Sequence, residues 1–122
     1  MKQHILVIDD EAPIRELLHS YFDKHGYAVS TAGSAAEAVQ ITADHRFDLA
    51  ILDVVLSDAD GLELLSNLKR THPELPVIMM TGIGFDDDLL REAKQKGAAG
   101  YVSKTSPLPK LLEEVQGVIR RP

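Results

Sequence analysis

The sequence predicts an α/β fold: a doubly wound domain built on a five-stranded parallel sheet, strand order 2-1-3-4-5, with helices on both faces. Two observations carry this. Short apolar runs alternate five times with segments of helical periodicity, the pattern of strand–helix units feeding one parallel sheet. Four of the runs also stop at a reactive residue: residues 5–8 run into Asp9, Asp10 and Glu11, residues 49–52 into Asp53, residues 77–80 into Thr81, and residues 101–103 into Lys104. In parallel strands those ends share one edge of the sheet. With right-handed crossovers the first and third strands lie side by side where the chain reverses direction, the usual place for a ligand.

After the first strand, Ile14, Leu17, Leu18, Tyr21 and Phe22 recur at i, i+3, i+4, i+7 and i+8, one apolar helix face. Gly26 suits a left-handed C-terminal cap for it. Residues 28–31 are a weaker strand candidate. Ser34 and Glu37 form a capping box that opens a second helix running to about Ala43. After Asp53 come a polar loop, then Leu62, Leu65 and Leu68 at helical spacing, with Pro73 and Pro76 bracketing the exit. Asp86, Asp87 and Asp88 open the fourth helix, where negative charge complements the helix dipole. Its apolar face is Leu89, Leu90 and Ala93, and Gly97 ends it. Ser106 is the expected cap of the last helix, with Pro107 in its first turn. Leu108, Leu111, Leu112, Val115, Val118 and Ile119 form that helix's apolar stripe.

The chain reads as one domain over residues 1–122, with residues 120–122 as the expected start of a linker; it is a stand-alone unit or a piece cut at that linker. At 122 residues it is long enough to bury roughly two thirds of its unfolded surface. A net charge of -6 argues against direct binding of nucleic acid or an anionic membrane. The absence of cysteine excludes disulfides, zinc thiolate sites and cysteine nucleophiles. No apolar run approaches the roughly 20 residues of a membrane span, and none resembles a signal peptide, so a cytoplasmic location is expected.

The chemistry follows from what converges on the sheet edge. Clustered carboxylates repel one another and are costly unless a cation sits among them. A carboxylate can attack phosphorus to give an acyl phosphate. The incoming phosphoryl group is itself anionic, and a hard cation such as Mg2+ answers both repulsions by bridging carboxylate and phosphoryl oxygens. Lys104 adds a positive charge and Thr81 a hydroxyl donor. The set reads as a phosphoryl-accepting site.

At these residues the chain resembles the response-regulator receiver domain of two-component signalling, a flavodoxin-like (βα)5 sandwich, over essentially its whole length. The matching pieces are Asp9-Asp10-Glu11, residues 53–61 (DVVLSDADG), residues 80–82 (MTG) and residues 96–104 (KGAAGYVSK). The resemblance implies that Asp53 accepts a phosphoryl group from a sensor histidine kinase or phosphotransfer protein. It implies Mg2+ (or Mn2+) held by Asp10, Asp53 and the backbone carbonyl of Val55, with Asp9 acting mainly through water. Lys104 would pair with Asp53 and then with the phosphoryl group. Thr81 and Tyr101 would form the switch, the hydroxyl swinging toward the phosphoryl group and the ring turning inward. The surface from the fourth helix through the fifth strand to the fifth helix would then act on an effector domain or downstream protein, or form a phosphorylation-dependent homodimer. Such a domain is a signalling element rather than an enzyme, limited to its own phosphorylation and slow autodephosphorylation.

Several positions depart from the family pattern. Ser57 stands where proline is common after the phosphoacceptor, and Gly82 replaces the more frequent alanine, with Gly84 close behind. Both glycines add backbone freedom, so a mobile segment is expected between the fourth strand and fourth helix. Thr105 follows Lys104 where the family places proline, and a cis bond to a non-proline residue costs about 2.5–4 kcal/mol. A trans Lys104–Thr105 peptide and a slightly re-routed loop are therefore expected. Val55 and Ile83 flank the path of an attacking water and are apolar, which predicts slow autodephosphorylation.

Taken singly, each of these residues has a plainer role: a strand-end cap for Asp53, a capping hydroxyl for Thr81, surface charge for Lys104, core packing for Tyr101. Only the joint pattern raises them above that. The five histidines show no metal-ligand spacing and are expected at surface or edge positions. An aspartyl-nucleophile phosphatase of the haloacid-dehalogenase type shares the Asp and Mg2+ logic, but it needs a second Asp where Val55 stands. A nucleotide-binding domain is disfavoured because no glycine-rich phosphate loop follows the first strand. The remaining alternative is a receiver-like interaction module that is not phosphorylated.

Overall fold

The computed structural model describes residues 2–82 and 86–119. In chain order the elements are β1 (His4–Ile8), α1 (Ala12–Lys24), β2 (Ala28–Ala32), α2 (Ala35–Asp44), β3 (Leu49–Asp53), α3 (Gly61–Thr71), β4 (Val77–Thr81), α4 (Asp87–Gln95), β5 (Gly100–Ser103) and α5 (Leu108–Val118). All four strand pairs are parallel and the sheet order is β2-β1-β3-β4-β5, as the sequence predicts.

The sheet is buried on both faces, which is why its strands read as unbroken apolar runs. Alternation sorts their side chains. Leu6, Ile8, Ala50, Leu52, Val77 and Met79 pack with α2, α3 and α4, whereas Ile5, Val7, Leu49, Ile51, Ile78, Met80 and Val102 pack with α1 and α5. Among the described residues no helix is long and apolar enough to cross a membrane.

Most helix ends follow local chemistry. Gly26 and Gly97 take positive φ, 91° and 102°, just past α1 and α4. Ser34 Oγ accepts from Glu37 N at 3.1 Å, while the Glu37 carboxylate reaches one residue further back than a standard capping box and accepts from Gly33 N at 2.7 Å. Asp86 Oδ1 accepts from Asp88 N and Leu89 N. Three of the histidines, His25, His45 and His72, follow the ends of α1, α2 and α3.

Three expectations need correction. The residue before α5 is Pro107 rather than Ser106, and no side chain caps the helix. Ser106 N instead donates to Ser103 O, so that residue belongs to a turn after β5. Leu17 lies on the predicted apolar face of α1 yet is 48% exposed, because the sheet takes Leu18 and Phe22 and leaves Leu17 on the rim of the groove toward α5. On α4 only Ala93 is buried, with Leu89 and Leu90 half-covered. The expected mobility after Gly82, with Gly84, falls on residues 83–85, outside the described residues, as does the linker at 120–122.

Candidate functional site

Parallel pairing brings the carboxyl ends of β1, β3, β4 and β5 to one edge. Asp53 is the last residue of β3 and pairs with Met80. Thr81 ends β4 opposite Ser103, and the next residue, Lys104, donates its backbone N–H to Thr81 O at 2.7 Å. Asp9 follows β1 and donates to Ala32 O of β2 at 3.0 Å. The backbone ladder alone therefore fixes the sites from which three carboxylates, a hydroxyl and an ammonium start.

The side chains converge on Lys104. Its Nζ lies 2.9 Å from Asp9 Oδ2, 2.9 Å from Asp53 Oδ2 and 2.6 Å from Glu11 Oε1. Asp9 is fully buried and Asp53 nearly so, while Glu11 reaches solvent. Asp9 Oδ1 accepts from Glu11 N at 2.8 Å and Asp53 Oδ1 from Val55 N at 3.2 Å. Asp9 Oδ2, itself buried, meets the Lys104 ammonium as an ion pair.

The charges perturb one another. Burial raises the Asp53 carboxyl above the usual aspartate range; hydrogen bonds from Lys104 and the Val55 amide oppose it, and the Asp9 charge adds to it. Burial alone would lower the Lys104 pKa, but the Asp9, Glu11 and Asp53 carboxylates outweigh it and hold the ammonium above the usual lysine range. Lys104 in turn holds Glu11 below the usual glutamate range.

One oxygen from each of Asp9, Asp10 and Asp53 lies within 4.8 Å of the others. This is an all-oxygen, all-carboxylate donor set whose buried Asp9 Oδ2 is met by the Lys104 ammonium as an ion pair, and it suits a hard divalent cation of the Mg2+ class. Among the described residues no histidine joins such a group.

The structure thus brings Asp9, Asp10, Asp53 and Lys104 together, with Val55 at their margin. The Val55 side chain is 57% exposed and its backbone bridges to Asp60. Thr81 is fully buried at its strand end. Tyr101 is half-buried against the α2–α3–α4 side of the core, on the wall of a cavity of about 260 Å3 between α4, β5 and α5. The Lys104–Thr105 peptide is trans, there being no cis bond among the described residues.

Three further residues have roles that the sequence reading did not assign. Glu11 shares the Lys104 ammonium; the acidic run flagged its presence but not its partner. Gly61 sits so close to β3 that a Cβ there would lie 2.1 Å from Asp53 O and 2.5 Å from Val54 O. Asp58 accepts from the backbone of α2 across 22 and 23 residues of sequence, which no local pattern signals.

Fold and site together define a signalling receiver built on a parallel sheet, and comparison with known proteins agrees. The family model described as "Response regulator receiver domain" matches residues 5–116. Sporulation initiation phosphotransferase F of Bacillus subtilis is 33% identical over 116 residues, covering 95% of this chain and 93% of that protein. Among solved structures, the receiver domain protein of Methanospirillum hungatei superposes with a TM-score of 0.91 at 28% identity, covering 98% of this chain and 94% of that one. Response regulator TrrA of Thermotoga maritima, in complex with Mg(2+)-BeF, gives a TM-score of 0.85 at 31% identity, covering 95% and 98%. Several other curated relatives are regulators of which the chain spans about half the length, 47% and 52% in two cases. The chain belongs to the response regulator receiver domain family of two-component systems.

Proposed function

We propose that the domain is a phosphoryl-accepting switch in which Asp53 takes the phosphoryl group. The observation that carries the reading is a near-buried Asp53 carboxylate, with two more carboxylates and a lysine ammonium at one sheet edge. An Asp53 oxygen attacks phosphorus; the P–N bond of a kinase or phosphotransfer protein's phosphohistidine breaks as the acyl O–P bond forms. Asp10, Asp53 and the Val55 carbonyl would hold Mg2+ or Mn2+, with Asp9 acting through water, and such a cation supplies neutralisation of the carboxylate and phosphoryl charges. Lys104, already on the Asp53 carboxylate, pairs with the added charge.

The acyl phosphate carries about 1.5–2 negative charges where the carboxylate carried one. Thr81 offers a hydroxyl to them, and Tyr101, beside a cavity, has room to turn as the loop follows. The readout face is α4–β5–α5, toward an effector domain, a downstream protein or a second copy of the chain.

Incubation with MgCl2 and acetyl phosphate, followed by intact mass measurement, tests this. One phosphoryl addition is expected in wild type and none in Asp53→Asn. Continuous turnover of the donor would instead indicate a phosphatase, and no addition a non-phosphorylated module.

The exposed apolar Val55 side chain cannot orient a water, so the acyl phosphate is expected to decay slowly. Val55→Asn should speed decay roughly tenfold, below the ~100-fold that full general-base catalysis supplies. Equal decay in both proteins, followed by loss of the phosphorylated mass after donor removal, would overturn that role. Ile83, the second apolar position expected on the water's path, lies outside the described residues.

A further inference from the structure

We propose that Asp58 is a positioning residue for the acidic site, clamping the loop that carries the Val55 carbonyl to the first turn of α2. The inference rests on the reading of Val55 as a cation ligand. Asp58 Oδ1 accepts from Ala35 N at 2.9 Å and Asp58 Oδ2 from Ala36 N at 3.2 Å, so each carboxylate oxygen holds one amide. The next amide, Glu37 N, is taken by Ser34 Oγ, and Ala38 N by Ser34 O. Of the amides that a helix start leaves unpaired, Ala35 N and Ala36 N are satisfied by a residue from another loop and Glu37 N by the helix's own cap, while Ala38 N to Ser34 O is the first bond of the helix itself.

The post to which Asp58 is tied is firm. Ala35 and Ala38 are buried in the core, and β2, which leads into α2, accepts Asp9 N through Ala32 O. A closed path therefore runs from Asp9 through Ala32 to the start of α2, across Asp58, and back through the loop to Val55 and Asp53. It joins the two segments that supply the carboxylates without passing through Lys104 or a cation. No proline stands between Val54 and Asp60. Leu56 is buried in the core, Ala59 packs against it and Leu56 N donates to Ala59 O, while Ser57 and Asp58 form the exposed tip between them, which the two Asp58 bonds tie to α2. The amides hold the Asp58 carboxyl below the usual aspartate range, as expected when the charged form is the one being bound.

Ser34→Ala and Asp58→Ala separate helix capping from loop positioning, because both weaken the α2 start and only the second frees the loop. Mg2+ affinity is read by calorimetric titration with MgCl2, phosphorylation by intact mass with acetyl phosphate, and stability by thermal unfolding. Both variants should unfold at a lower temperature than wild type. Asp58→Ala alone should weaken Mg2+ binding about tenfold, the low end for loss of a ligand-orienting contact. Its phosphorylation should slow at limiting Mg2+ and recover at saturating Mg2+. Asp58→Asn, which keeps one acceptor oxygen, should fall between. If Asp58→Ala lowers stability but binds Mg2+ as wild type does, Asp58 is a cap and the proposal fails. If wild type neither binds Mg2+ nor takes up a phosphoryl group, the functional reading falls and this inference with it.

Discussion

Lys104→Met, which keeps the stem and removes the ammonium, is expected to cost about 3 kcal/mol of stability in metal-free buffer near neutral pH. Its ammonium lies within 2.9 Å of the carboxylates of Asp9 and Asp53 and still nearer Glu11. Stranding a buried charge by deleting its partner costs about 3–5 kcal/mol. The low end applies because Glu11 is solvated and only Asp9 is wholly cut off from water. Two dependences identify the cause. Adding MgCl2 should narrow the gap to wild type, because a cation among Asp9, Asp10 and Asp53 takes over the neutralisation; binding at 100 times Kd contributes about 2.7 kcal/mol.

Lowering the pH should narrow it too. Asp53 is held above the usual aspartate range, so its contribution is favourable at low pH and is lost as pH rises through its folded-state pKa. The Lys104 contribution in wild type runs the other way along the scale, being fully present below the ordinary lysine pKa and lost only as pH rises through the higher folded-state value. Urea unfolding of both proteins with and without Mg2+ measures all of this. A Lys104→Met protein as stable as wild type in metal-free neutral buffer would show that the ion cluster stabilises nothing.

Gly61→Ala is expected to cost about 3 kcal/mol, at the upper end of the usual overpacking range. The new Cβ would stand 2.1 Å from Asp53 O, 2.5 Å from Val54 O and 2.7 Å from Val54 C, all backbone atoms of β3 and its exit. None can rotate aside, so α3 must retreat or the strand end must move. Either shift also breaks Gly61 N to Val54 O, 2.8 Å. Because the displaced backbone carries Asp53, phosphoryl uptake should fall together with stability. Gly33→Ala is the contrast: its Cβ would meet the Arg15 guanidinium at 3.1 Å, a flexible side chain that can give way, and its cost should be much smaller. Unfolding midpoints in urea decide between them. Gly61→Ala equal to Gly33→Ala would mean that β3 and α3 adjust without penalty.

Legibility tracked locality. The strand runs, the glycines that end α1 and α4, the Ser34 cap and the acidic start of α4 depend on residues within a few positions, and all were readable. The correction at Leu17 arose because periodicity gives the phase of a helix but not how wide a stripe the sheet covers. Ser106 looked like a cap because serine before proline usually is one; the turn bond from Ser106 N to Ser103 O claims that residue first.

Element order, the parallel sheet and the alignment of Asp9, Asp10, Asp53, Thr81 and Lys104 along one edge all follow from the amino-acid pattern. Strand periodicity and parallel connection suffice for that. Which side chains meet across that edge emerges from the folded packing: Glu11 sharing Lys104, Asp58 holding the start of α2, Gly61 pressed against the carbonyl of Asp53. The reason is physical. Those contacts join residues from 8 to 93 positions apart, and their geometry is set by how closely helices seat on the sheet, which no local pattern encodes.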